Sequence, residues 1–112
     1  MDENQVVEKA YEVVEIAKTS GKLRKGTNEV TKAVEKGAAK LVIVAKDTNP
    51  PEIIMHLGPL CKEKGVPIVI VPSKIELGRA AGLPISTSSV VIIQEGDAKD
   101  IIPWIIRALK GE

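Results

Sequence analysis

Apolar side chains recur at intervals of three and four along the amino-terminal segment, at Val6, Val7, Ala10, Val13, Val14 and Ala17, and Gly21 follows as a stop. This spacing predicts an amphipathic helix with one face packed on the rest of the chain. The pattern then changes. Leu41–Ala45, Ile68–Val71 and Val90–Ile93 are short unbroken apolar runs, and continuity rather than alternation predicts strands covered on both faces. Helical patterns separate the runs, so the expected fold class is α/β, a single-domain three-layer α/β/α sandwich over residues 1–112.

Helix starts are punctuated by chemistry. Asn49-Pro50-Pro51-Glu52 offers an asparagine cap, a proline at the first helical position and a glutamate placed to return a bond to the cap. Ser73-Lys74-Ile75-Glu76 repeats that device, and Gly82 is expected to close its short helix. Thr27 is the expected cap of a helix ending near Gly37. Gly58-Pro59 should bend the helix that contains it, because proline lacks a donor and crowds the preceding turn. A last helix starting near Asp100 keeps Pro103 in the first turn, where the missing donor costs little.

Composition narrows the function classes. In 112 residues, 44% of positions are apolar and 28% charged, enough for a core without a covalent staple. No apolar run approaches the length of a membrane span, and the charged amino end does not read as a signal peptide, so a cytosolic location and no membrane partner are expected. One cysteine, Cys61, and one histidine, His56, leave too few ligands for a structural zinc site, and no cofactor is expected. His56 reads as a satisfied boundary residue and Cys61 as a packed one.

The net charge of +1 conceals an uneven distribution. Residues 1–17 carry one Lys against five Asp or Glu, residues 18–46 carry eight Lys or Arg against two Glu, and the remainder seven against eight. The basic middle is either a solvated face or a surface that draws a polyanion such as RNA. With Tyr11, Trp104 and no Phe, a module that stacks bases on a sheet is excluded.

The basic segment contains the most specific arrangement. Lys22, Arg24 and Lys25 lead to Gly26 and a helix entered at about Thr27, where Asn28, Glu29 and Lys32 share one face and Val30, Ala33 and Val34 share the other. Free amides at such a tip attract phosphate oxygens. A glutamate there has two explanations. It complements the helix dipole, worth about 0.3–1 kcal/mol, or it accepts from a guanine or cytosine edge beside the amide of Asn28, a paired contact worth about 1–3 kcal/mol per base. The second requires a distorted or bulged RNA element, since a regular duplex hides those edges in its deep groove. Gly21-Lys22-Leu23-Arg24-Lys25-Gly26-Thr27 begins like a phosphate loop, but Thr27 replaces the expected lysine and no buried strand precedes it. There is no nucleophile elbow, and the hydroxyl-rich Ser86–Ser89 stretch is best explained as turn chemistry at a strand entry. An enzyme is not expected.

Gly26-Thr27-Asn28-Glu29-Val30-Thr31-Lys32-Ala33-Val34-Glu35-Lys36-Gly37, followed by Ala39-Lys40-Leu41-Val42-Ile43-Val44-Ala45, resembles the archaeal ribosomal protein L-seven-Ae family of kink-turn RNA binders. The likeness continues through Pro51-Glu52-Ile53-Ile54, Val71-Pro72-Ser73-Lys74 and Leu77-Gly78-Arg79-Ala80-Ala81-Gly82, and covers roughly residues 5–110. It implies a mixed four-stranded sheet with a short first strand near Leu23–Lys25. It also implies binding to a bulge abutting tandem sheared G·A pairs in ribosomal RNA, box C/D and H/ACA guide RNA and RNase P RNA, alongside guide ribonucleoprotein proteins. By position, Asn28, Glu29 and Lys32 would meet the G·A guanines and nearby backbone, Lys25, Gly26 and Thr27 the phosphate path, and Lys74 the backbone. Ile53 and the loop Leu83, Pro84, Ile85 would pack on bulged nucleotides. That loop reproduces neither common family version, Lys46 stands where an acidic residue is usual, and Asn49 replaces a common acidic contact. The alternative reading is a protein-interaction paralogue with weakened RNA binding.

Overall fold

The computed structural model describes residues 3–111; Asp2 and Glu112, counted in the charge balance, lie outside them. Helix α1, Glu3–Ser20, buries Ala10, Val13, Val14 and Ala17 and stops where the spacing predicts. Strand β1, Lys22–Lys25, follows at once, then α2 at Thr27–Glu35, β2 at Leu41–Ala45, α3 at Glu52–Met55 and α4 at Leu57–Lys64. The chain continues through β3, Ile68–Val71, α5, Lys74–Ala80, β4, Ser89–Gln94, a 3₁₀ turn at Gly96–Ala98 and α6, Ile101–Leu109.

The strands lie in the order β1-β4-β2-β3, with β4 antiparallel to both β1 and β2 and β3 parallel to β2. The sheet is therefore mixed and four-stranded. Strand alternation divides the core in two. Leu41, Ile43, Ala45, Val69, Val71, Val90 and Ile92 pack with α1, α5 and α6, while Val42, Val44 and Val91 pack with Val30, Ala33 and Val34 of α2 and Leu57 and Cys61 of α4. Helices cover both faces, and the three-layer expectation holds. Burial pushes the Cys61 thiol above its ordinary pKa, as a packed rather than reactive cysteine requires.

Four local expectations are corrected or refined. Strand β3 is an edge, and Ile70 is 60% exposed, because the α2–α4 layer seats on Val42, Val44 and Val91 and leaves the outer strand partly bare. Asn49 does not cap α3: the N-cap is Pro51, without a side-chain bond. An asparagine cap serves the amides of the second and third helical residues, and with Pro50 and Pro51 leading, the second has none to offer. The carbonyls of Pro50 and Pro51 instead take the Ile53 and Ile54 amides at 3.2 and 3.1 Å. Thr27 is the first residue of α2 rather than its cap, which is Gly26. Pro59 does more than bend its helix. Met55 would bond to the amide that Pro59 lacks, and the helix is divided after Met55 into α3 and α4. By contrast, Ser73 caps α5 through a 3.1 Å bond from the Glu76 amide to its Oγ, and α6 begins at Ile101 with Pro103 in its first turn.

One glycine positions the loop after α5. A Cβ on Gly78 would lie 2.2 Å from the carbonyl oxygen of Ile85 and 3.0 Å from Cα of Ser86, so the hydrogen there lets the loop lie directly on the helix. Gly78→Ala is expected to lower stability by about 1–3 kcal/mol through overpacking, read as a fall in the urea midpoint at unchanged slope.

Candidate nucleic-acid interface

The start of α2 is held by the sheet rather than by a side-chain cap. Strand β1 pairs with β4 through Leu23↔Ile92, Arg24↔Val91 and Lys25↔Val90, and the next residue, Gly26, donates its amide to the Ser89 carbonyl at 3.0 Å. Gly26 then turns at φ 90°, ψ 148°, a backbone region that a side chain would strain. Its carbonyl accepts the first helical bond, from Val30 at 3.0 Å. The hydroxyls of Thr27 and Ser88 lie 3.1 Å apart and tie the first turn to the entry of β4. Since Gly26 has no side chain to offer, the amides of the first turn are left for a ligand.

Beside this tip lies an open groove of about 750 Å³ lined by Lys25, Gly26, Thr27, Asn28, Glu29, Ile53, His56 and Ser88. Six of these are residues singled out in the sequence. Asn28 and Glu29 point outward because Val30, Ala33 and Val34 on the opposite side of α2 are buried. Glu29 is also within 3.8 Å of Lys32, yet their side chains remain 52% and 65% exposed, so the carboxylate is accessible and its ion pair weak. On its other side Glu29 borders a smaller hollow of about 190 Å³ shared with Arg24, Lys32 and Lys36. A carboxylate thus stands on a ridge, with the groove on one side and three cationic side chains on the other.

The remaining predicted residues sit outside the groove lining. Lys32 belongs to the basic hollow. Lys74 opens α5, but its amide is already bonded to Asp47 Oδ1 at 2.8 Å, so that helix start holds an internal carboxylate. Leu83 is half-buried against the α1 side of the core, Pro84 is exposed, and Ile85 is 70% exposed. Two lining residues lay outside the predicted set. His56 was legible as a neighbour of Ile53, three positions on in a helical stretch, and its Nε2 is 2.8 Å from Thr31 Oγ1, which satisfies it as expected. Ser88 had no local signal, since only the pairing of β1 with β4 brings it to Thr27.

The match to the Ribosomal protein L7Ae/L30e/S12e/Gadd45 family spans residues 8–102. The chain belongs to this family. Among solved structures, a Giardia lamblia 15.5kD RNA binding protein is 31% identical, with a TM-score of 0.90 over 96% of this chain and 89% of that one. The L7Ae-type fold thus agrees with the resemblance read from Gly26–Gly37. The family match includes α2 and the groove residues, while most of α6 lies beyond it.

Because Glu29 is exposed and weakly paired, its removal is expected to leave folding nearly untouched. Glu29→Ala should shift unfolding free energy by no more than about 0.5 kcal/mol in chemical denaturation; a larger loss would make the carboxylate a structural element.

Proposed function

We propose that this protein is a cytosolic, non-enzymatic RNA-binding protein that recognises kink-turns and holds the RNA bent. The observation that carries the reading is the placement of Glu29: a half-exposed carboxylate next to the Asn28 amide, on a helix tip whose own amides and neighbouring cations suit phosphate. A phosphate site gains nothing from that carboxylate. A sheared G·A pair supplies its reason, because it exposes guanine amino and imino donors that a regular pair engages. The Giardia relative's description as an RNA binding protein supports the class of ligand.

In this reading Asn28 and Glu29 read guanines, the first-turn amides with Lys25 and Lys32 neutralise backbone, and Ile53 offers an apolar surface to an unstacked nucleotide. Lys74 meets the RNA backbone, and the Leu83–Ile85 loop packs on the bulged nucleotides. Contacts available only to the kinked form pull the RNA population toward it, by no more than the difference in affinity between forms. Ribosomal RNA, box C/D and H/ACA guide RNA and RNase P RNA are the proposed ligands, with guide ribonucleoprotein proteins assembling on the bent complex.

Titration of a kink-turn and of the same RNA with its G·A pairs replaced is the deciding experiment. Strong preference for the first is expected, and equal affinity at moderate salt would favour a protein-interaction role for the fold. Glu29→Ala should cost about 1–3 kcal/mol on the kink-turn alone. Lys32→Ala should weaken all RNAs and flatten the salt dependence by about one unit of slope if it meets one phosphate.

A further inference from the structure

The groove contains a side chain for which the contacts described so far assign no role toward RNA. His56 sits at the junction of α3 and α4, exposed, on the groove wall that also carries Ile53. Its Nε2 is 2.8 Å from Thr31 Oγ1, and the same oxygen is 2.7 Å from the Thr27 carbonyl. A threonine hydroxyl has a single proton. A carbonyl oxygen can only accept, so the Thr27 contact uses that proton. Thr31 therefore meets the ring with a lone pair, and the hydrogen between them belongs to Nε2. In a neutral imidazole this leaves Nδ1 unprotonated, and no described residue is bonded to it.

We propose that His56 is a specificity residue of the groove, held by Thr31 in its Nε2–H form so that Nδ1 offers an uncharged acceptor to a hydrogen-bond donor on the bound RNA. The inference rests on the RNA reading above. It deepens that reading by dividing the groove chemically. The first-turn amides and Lys25 give hydrogen bonds and suit phosphate; a neutral Nδ1 faces a phosphate oxygen with one lone pair against another. Next to His56 and Ile53 the groove therefore selects a sugar 2′-hydroxyl or a base amino or imino group. Ile53, 38% exposed, lines the same groove and offers an apolar neighbour to that contact.

Two amide substitutions separate this role from a merely structural tie between α2 and the α3–α4 junction. In His56→Gln the amide can reach the Nε2 position and keep the bond to Thr31, with nothing at Nδ1. His56→Asn does the reverse. His56→Gln is expected to weaken kink-turn binding roughly 3–10-fold, as one net hydrogen bond requires, and His56→Asn to retain most of the affinity. Thr31→Val should weaken binding similarly, and Thr31→Ser should restore it. Nitrogen-15 spectra of the imidazole in the RNA-free wild-type protein should show the Nε2–H form, and Thr31→Val should reduce its dominance. The donor is found by combining His56→Gln with single 2′-deoxy or inosine replacements in the RNA: the replacement whose loss is no longer additive marks the partner. Full binding by His56→Gln with loss in His56→Asn would overturn the assignment, as would an Nδ1–H ring. If the wild-type protein discriminates kink-turns and neither His56 variant differs from it, the role of His56 fails and the RNA reading stands; if it does not bind them, both fall.

Discussion

A single backbone hydrogen bond, from the Gly26 amide to the Ser89 carbonyl, couples the sheet to the start of α2 and the groove beside it. It extends the β1–β4 ladder by one residue and then releases the chain, through a conformation open to glycine, into the first turn of α2. That anchoring sets where α2 begins, and the burial of Val30, Ala33 and Val34 turns Asn28 and Glu29 outward. The Thr27–Ser88 contact reinforces it from the side. Residues more than sixty positions apart in the chain are thereby held in a fixed relation.

Electrostatics gives the surface its character. Cations from β1 and α2 gather around the tip, and one carboxylate stands among them without being consumed by them, since its nearest cation is 3.8 Å away and both groups stay in water. A fully formed, buried ion pair would take up part of the acceptor capacity of Glu29. An all-basic tip would attract any polyanion without discrimination. The intermediate arrangement leaves cations and an accessible carboxylate side by side. The start of α5 shows the contrast: Asp47 and Ser73 satisfy it internally, so the amides of Lys74 and Glu76 are already spent.

The wall opposite α2 is shaped by Pro59. Without its amide the helix cannot pass through His56, and the resulting α3–α4 junction exposes the imidazole at the groove while Leu57, the next residue, is buried in the α2–α4 core. One break in a hydrogen-bond ladder thus separates an exposed residue at the groove from a buried residue of the core. Thr31 joins the two walls across it.

Much of this was legible in the chain. Periods of three to four fixed α1 and the two faces of α2, unbroken apolar runs located β2, β3 and β4, and the Ser73 cap and Pro103 placed two helix starts, because each depends on interactions within a few residues. The Lys25–Glu29 stretch, which lines one side of the groove, was legible for the same reason. What local reading could not supply was everything decided by neighbours distant in sequence: that β3 lies at an edge and leaves Ile70 bare, that the sheet anchors Gly26 as the cap of α2 in place of Thr27, and that Ser88 meets Thr27. The amino-acid sequence by itself determined which side chains could give, accept or repel at the tip of α2; only the tertiary structure decided which of them face one another, because strand order and register are settled by packing over the whole sheet rather than by any residue's own preference.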